Sequence, residues 1–412
     1  MKIFHLADLH LGRRRLHGRL SDQDFSDAFL EIVKRAVDES ADLLLIAGDL
    51  FDSHQIAPRH LRQAILSLSL LREKGIPVIA IEGNHDRASL NSQEGTWLEY
   101  LADEELLILL QTLFDRSGPI LTDWCSKKRR GSIYTLNGIR FVGAGYLGAS
   151  TPTRLQAITE KLDAGTPSVL LLHAGPSYFV GEGGGFQGKD LKNLKKHFIY
   201  VALGHMHKPM IHDHWAVNPG SPENCRLSEA SYENRGYAVV EICEEKLRSV
   251  EIHSNSRRPI IECSVDCSPI AKFRKGVWEK LLEHILLGLR KKELSENAVI
   301  HVRLSGSMNI RRLAVDKASL EKTLEEELAV EAVFIDHEDL HLFAGRYNTE
   351  EAPQRSSRKE LERKAIQSLL MEEGKEDPSL VDLCLQLKHA VEKQSTPEEI
   401  LESLLQAPAE VL

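Results

Sequence analysis

Three short apolar segments, "KIFHLAD" at residues 2–8, "LLLIAGD" at 43–49 and "IPVIAIEGN" at 76–84, are separated by stretches of helical period. In the first gap Phe25, Phe29, Ile32, Val33, Ala36 and Val37 form one apolar face, and in the second a helix opens near Pro58. Strand, helix, strand, helix, strand in that order implies parallel pairing with helical crossovers, an α/β class of fold. Further on, "SIYTLNGIRFVGAG" reads as a hairpin turning at Asn137-Gly138, and "SVLLLHAG", "FIYVALGH", "GYAVVEI" and "LRSVEIH" supply more strands.

The apolar segments share a second property: they end on groups that do chemistry. Asp8 and His10 follow the first, Asp49 and then Asp52 the second, and Asn84, His85 and Asp86 the third. Two later strands end on His173 and on the pair His205 and His207. In extended chain, residues two apart project from one face, so His205 and His207 can aim at one point. In open α/β sheets the carboxyl ends of the strands line the crevice where ligands sit. A single histidine there is ordinarily a surface or hydrogen-bonded core residue; five such groups in order are not explained that way.

The donor types are informative. Two carboxylates, one amide oxygen and four imidazoles are enough for two first-row divalent ions, with positions left for water and substrate. An all-oxygen set would favour magnesium or calcium, and thiolates a structural zinc. This mixed set points to manganese first, with iron or zinc as alternatives. The six cysteines have no metal-finger spacing and read as reduced, mostly buried thiols.

These residues resemble the five-part signature of the calcineurin-like metallophosphoesterases: Asp-x-His, Gly-Asp, Gly-Asn-His-Asp, His and Gly-His-x-His. The segments "FHLADLHLG", "GDLFD", "LGHMHKP" and "NPGSPE" are similar in particular to the SbcD-type DNA-repair exonucleases, nuclease subunits paired with SMC-like ABC-type ATPases. The resemblance is specific over residues 1–255 and looser beyond. It implies a layered α-β-β-α sandwich, a small α/β capping domain and a C-terminal helical tail. It also implies that Asp8, His10 and His207 hold one ion, that Asn84, His173 and His205 hold the other, and that Asp49 bridges them. His85 would contact the scissile phosphate without binding metal, and Asp86 would orient its ring. The implied reaction is two-metal phosphodiester hydrolysis of DNA, by an exonuclease or endonuclease acting in repair; a phosphatase or phosphodiesterase acting on a small phosphoester or cyclic nucleotide is the alternative.

At 412 residues the chain has room for more than one domain. Residues 1–255 would be the nuclease domain. The pattern restarts after "NSRRP": "PIIECSV", a helix over 271–291, "AVIHVRLSG", a helix over 318–329 and "VEAVFID" make a second βαβαβ unit, giving a capping domain at 256–345. Residues 346–412 read as a polar linker and short helices, the last opened by a capping box of Thr396 and Glu399. Leu361, Ala365, Leu369 and Leu370, then Leu380, Val381, Cys384 and Leu387, then Ile400, Leu401, Leu404 and Leu405 form apolar stripes suited to a partner helix or to the chain's own surface.

A formal net charge of −9 argues against coating nucleic acid by global electrostatics, so DNA would have to be held by local clusters. Arg13, Arg14 and Arg15, directly past two candidate ligands, are the first choice; Lys127 to Arg130, Arg257 with Arg258, and Arg311 with Arg312 are others. The Gly-rich stretch after His173 lacks a Gly-Lys-Ser/Thr ending and reads as a rim loop, not a phosphate-cradling P-loop. No apolar run is long enough to span a bilayer, and the charged N-terminus does not read as a signal peptide, so a cytoplasmic protein with no membrane contact is expected. The resemblance also allows a homodimer through the early helices, around 58–72 and 95–105.

Overall fold

The computed structural model describes residues 1–15, 20, 22–87, 95–163, 165–180, 185–270, 276–290, 292–309, 317–343, 363, 366–367 and 380–385. The chain forms two compact units, Met1–Phe343 and Ala344–Leu412.

The first unit opens as the alternation predicts: β1 (Lys2–Leu6), α1 (Gln23–Asp38), β2 (Leu43–Ala47), α2 (Pro58–Glu73), β3 (Val78–Ile81), α3 (Trp97–Asp103) and β4 (Ile108–Leu109). β1 to β4 pair in parallel. A short hairpin, β5 (Leu113–Asp115) and β6 (Gly118–Ile120), precedes β7 (Ile133–Leu136) and β8 (Ile139–Gly145). The turn between β7 and β8 falls at Asn137 and Gly138, with φ of 50° and 79°; a two-residue hairpin turn of this kind needs positive φ at both central positions. Next come α4 (Thr151–Lys161), β9 (Ser168–His173), α5 (Ser177–Val180), α6 (Gly188–Leu194), β10 (Tyr200–Gly204), β11 (Met210–His212), β12 (Ala216–Asn218), β13 (Gly236–Cys243) and β14 (Lys246–Ser254).

These strands make two six-stranded sheets, ordered β14-β13-β1-β2-β3-β4 and β11-β12-β10-β9-β8-β7. Alternation along each strand sorts its side chains between two cores. Ile3, Leu43, Leu45, Ile79 and Ile81 meet Phe141, Val169, Leu171, Tyr200 and Ala202 between the sheets. Phe4, Leu6, Leu44, Ile46 and Ala80 face outward onto Phe25, Phe29, Ile32, Leu68 and Leu98 of the helices. On the opposite outer face Val142, Leu170, Leu172 and Val201 pack against Leu155, Ile158, Leu191 and Leu194. The result is the helix-sheet-sheet-helix layering that the family resemblance implies, with β1, β2, β9 and β10 all ending on one rim.

From Ile260 a separate parallel sheet forms: β15 (Ile260–Asp266), α7 (Val277–Leu289), β16 (Val299–Asn309), α8 (Lys317–Leu328) and β17 (Ala332–Asp336). β18 (Leu340–Phe343), a strand that the sequence pattern missed, pairs in parallel with the far end of β16. This sheet has its own core of Val265, Leu281, Ile285, Ile300, Val302, Leu324 and Ile335. It meets the sandwich through Leu20, Leu227, Val299 and Ala332 and through Arg258, whose Nε and Nη2 each donate to Asp24 at 2.9 Å.

In the second unit Arg363 donates to Asp382 at 3.0 Å and Val381 is buried. The rest of the expected apolar stripes, apart from Leu380 and Cys384, lies outside the described residues, as do the Thr396 capping box, Arg311 and Arg312, and part of the Gly-rich stretch.

Candidate metal centre

Beyond β1 and β2 the two chains continue side by side. Asp8 N–H donates to Gly48 O at 3.1 Å, His10 N–H to Asp49 O at 3.0 Å, and Leu11 N–H to Leu50 O at 2.9 Å. Regular strand would turn alternate side chains away from the rim. Here Asp8, His10, Asp49 and His205 instead take φ of 54°, 44°, 54° and 86°. Non-glycine residues with such φ cost on the order of 1–3 kcal/mol each and collect at functional sites.

Two glycines make room for this geometry. A Cβ at Gly48 would stand 2.4 Å from His173 Nδ1, and one at Gly83 would stand 2.0 Å from Asp49 Oδ1. The Gly-Asp and Gly-Asn-His-Asp motifs therefore need glycine because ligand side chains rest on bare backbone.

The polar groups converge into two adjoining clusters. In one, His10 Nε2 and His207 Nε2 are 3.1 Å apart. In the other, Asn84 Oδ1 lies 3.2 Å from His173 Nε2 and 3.0 Å from His205 Nδ1. Asp49 Oδ2 stands between them, 3.2 Å from His173 Nε2 and 3.8 Å from His10 Nε2. Asp8 Oδ1 accepts from the backbone N–H of His205 at 3.0 Å, while its Oδ2 is buried with no hydrogen-bond partner. A buried carboxylate oxygen without a donor is costly unless a cation completes it. All seven candidate ligands thus gather at one place, and their donor set fits two divalent ions.

Outer contacts fix which nitrogen faces inward. His173 Nδ1 donates to Ala47 O at 2.8 Å and His207 Nδ1 to Glu229 Oε1 at 2.7 Å, leaving Nε2 of each ring toward the cluster. Glu229 carries no motif spacing that marks it in the sequence. The segment "NPGSPE" carries part of the family resemblance, and the structure gives it a contact. Its Asn218 Nδ2 donates to Lys208 O at 2.8 Å, clamping the loop that carries His205 and His207. Tyr146, also missed, brings its ring centroid within 5.5 Å of that of His205.

Charge is shared unevenly. Burial opposes charge on His173, but Asp49 more than offsets it and the pKa stands at about 9. Burial also opposes charge on His207, which Cys225 and Glu229 lift to about 11. Burial and the neighbouring His173 hold His205 down at about 4. Against the penalty of burial, His173 and His10 keep Asp49 well below the usual carboxylate range. Protons thus settle on some of the imidazoles to balance buried carboxylates, the role that cations would take over.

Two sequence expectations need correction. Asp86 does not orient His85. Its carboxylate accepts from the backbone N–H groups of Asp49 at 2.7 Å, Gly83 at 2.9 Å and Phe51 at 3.0 Å, and so pins the loops that carry Asp49 and Asn84. His85 Nδ1 donates instead to the carbonyl oxygen of Asp52 at 2.7 Å. Nor is Arg15 available to a substrate: it is buried and paired with Asp24 and Glu223. Arg13 is partly buried and donates to Asp52 Oδ1 at 2.7 Å, whereas Arg14 is exposed.

Of the other basic candidates, Lys127 and Lys128 are exposed, whereas Arg129, Arg257 and Arg258 are committed to partners. Arg257 donates to Arg235 O at 2.8 Å, and Arg258 is held by Asp24. Arg129 pairs with Glu105 and lines a cavity of about 520 Å³ with Asp42, Ile76 and Val78, at the end of the sheet opposite the ligand rim. Of the cysteines, Cys225, Cys263 and Cys267 are buried, but Cys125 and Cys243 are exposed and Cys384 is intermediate.

Comparison with known proteins agrees with this geometry. Residues 1–209 match the family model described as calcineurin-like phosphoesterase. The chain belongs to that family. Its members use a dinuclear metal site, and the match spans every candidate ligand named here. Among curated relatives, the DNA double-strand break repair protein Mre11 of Archaeoglobus fulgidus is 28% identical over 80% of this chain and 76% of its own. Proteins of the same name from Sulfolobus acidocaldarius and Saccharolobus solfataricus are 24% and 26% identical, over 76% and 74% of this chain and 77% and 75% of their own. No helix among the described residues is long and apolar enough to cross a membrane.

Proposed function

We propose that this phosphoesterase is a metal-dependent DNA nuclease that hydrolyses phosphodiester bonds in repair, working with an SMC-like ATPase. The observation that carries the reading is the place of Asp49 Oδ2 between the His10–His207 and Asn84–His173–His205 clusters. Asp8, His10 and His207 would hold one ion, Asn84, His173 and His205 the other, with Asp49 shared. Such ions supply positive charge to a phosphate and acidify a water. Manganese is the favoured metal, given the mix of imidazole, carboxylate and amide donors.

The chain's own residues supply the rest. His85, fixed through Nδ1, presents its other ring nitrogen as the acid that assists the leaving sugar oxygen. Exposed Arg14 contributes a phosphate contact at the edge of the site, and Arg13 steadies the adjoining loop through Asp52. The sheet from Ile260 onward acts as a capping domain that helps select DNA ends, and the C-terminal segment contacts the ATPase. A homodimer through α2 and α3 is supported by Leu66 and Tyr100, which are exposed on those helices.

Manganese-supplemented assays on linear DNA, bis-p-nitrophenyl phosphate and a phosphomonoester test the reading. Turnover of the diesters alone supports it. Preference for the monoester would replace it with a small-molecule phosphatase, and silence with manganese, iron and zinc would overturn it.

A further inference from the structure

The first of the two positions has a neighbour outside the Asp, Asn and His set. Cys225 Sγ, a ring nitrogen of His10 and a ring nitrogen of His207 all lie within 4.8 Å of one another. Cys225 and His10 are both buried, at 4% and 0% exposure, and His10 Nδ1 lies 3.2 Å from Asp52 Oδ1, which leaves Nε2 facing His207. The cysteine is also held in place. Its N–H donates to Glu229 Oε2 at 2.7 Å and its carbonyl oxygen accepts from Arg13 Nε at 3.2 Å. Glu229 thus orients His207 through one carboxylate oxygen and positions Cys225 through the other.

A buried thiol fixed beside two imidazoles by a shared carboxylate has the composition of a borderline-soft metal site. Thiolate and imidazole suit zinc, whereas manganese prefers carboxylate, carbonyl and water. The geometry points to Cys225 as a further ligand at the first position, entering as thiolate when the ion is zinc and staying a free thiol when it is manganese. The inference rests on the two-metal reading above and adds a metal-dependent switch to it. On zinc binding the S–H bond breaks, its proton passes to solvent, and a sulfur–zinc bond forms. With the shared Asp49, a thiolate beside Asp8, His10 and His207 would fill that ion's coordination with protein donors and leave no open place for the water a catalytic ion needs. Zinc would therefore bind tightly in a form that excludes water from the first position, while manganese leaves that place open.

The test loads the full chain with zinc, counts the ions per chain and records X-ray absorption at the zinc edge. Two zinc ions with a sulfur scatterer at about 2.3 Å, lost in Cys225→Ser while nitrogen and oxygen scattering persists, is the expected result. The serine variant should also bind zinc about 10- to 100-fold more weakly relative to manganese, the range typical of losing a partner in a metal site. Two zinc ions with only nitrogen and oxygen neighbours at about 2.0–2.2 Å overturn the cysteine assignment and leave the two-metal reading standing. Sulfur scattering that survives in Cys225→Ser overturns it too, and fewer than two ions in the wild-type chain would take down both. If the serine variant fails to fold, Cys225→Ala replaces it, and a wild-type spectrum lacking sulfur is decisive without either variant.

Discussion

His85 Nδ1 donates to the backbone carbonyl oxygen of Asp52 at 2.7 Å, so the ring is fixed by main chain and not by a neighbouring carboxylate. This contact leaves Nε2 as the one nitrogen able to meet a substrate oxygen, and it can give a proton there only when the ring is the doubly protonated imidazolium. His85→Ala should keep both metal ions and lose about 10²- to 10⁴-fold in turnover, the usual contribution of a positioned acid. Metal content and kcat measured on the same preparation check this; a metal-free variant would assign His85 to ligation instead.

Asp49 touches both clusters, and its Oδ1 also accepts from His85 N–H at 2.9 Å. Asp49→Ala should therefore lose metal as well as activity. Two ions per chain retained in that variant, by elemental analysis, would show that Asp49 does not bridge.

Asp86 is 2% exposed and accepts from three buried main-chain N–H groups, with a fourth contact to Leu50 N at 3.3 Å. Burial and the nearby Asp49 raise its pKa to about 7. Removing the acceptor leaves several buried donors unsatisfied, at about 1–3 kcal/mol each. Asp86→Ala should lower stability by about 3 kcal/mol or more in denaturant unfolding. A variant with wild-type stability but no activity would restore Asp86 to a purely chemical role.

Glu229→Gln keeps the shape beside His207 but weakens the charge-assisted hydrogen bond that orients its ring. Metal affinity should fall about 10- to 100-fold. Titration with manganese followed by calorimetry measures this, and an unchanged affinity would contradict the orienting role.

His5 lies between the sheets, with Nδ1 2.8 Å from Tyr200 Oη and Nε2 donating to Leu203 O at 3.1 Å. Burial lowers its pKa to about 3, only partly offset by the Leu203 carbonyl. Above pH 6.5 the ring is neutral folded or unfolded. As pH falls below that value the unfolded chain takes up a proton that the native state refuses, and stability drops until about pH 3. At pH 5 the loss from this group is about 2 kcal/mol. The stability gap between wild type and His5→Asn should narrow from pH 7 to pH 5; a constant gap would refute the assignment.

Much of this molecule is legible in its sequence because two periodicities carry the signal. The apolar segments ending at Asp8, Asp49, Asn84, His173 and His205 fall at the ends of parallel strands, and parallel topology places such ends on one rim. Alternation within β1, for example Ile3 inward and Phe4 outward, follows from the two-residue repeat. What was not legible depends on long-range contact. Glu229 lies in a short 3-10 helix and Cys225 just before it, with no repeat to mark either, and only the folded chain brings them to His207. Arg15 looked like a basic cluster because Asp24 and Glu223, its buried partners, are invisible to a local reading. Asp86 sits beside His85 in sequence yet serves backbone amides three and more residues away.

Whether Asp49 is shared by two ions at this rim can be read from crystals soaked in manganese and measured for anomalous scattering. Two peaks about 3.5–4 Å apart are expected, one against His10 Nε2 and His207 Nε2, the other against Asn84 Oδ1, His173 Nε2 and His205 Nδ1, with the Asp49 carboxylate between them. Peaks elsewhere, or at that rim with Asp49 turned away from both, would contradict the bridging role.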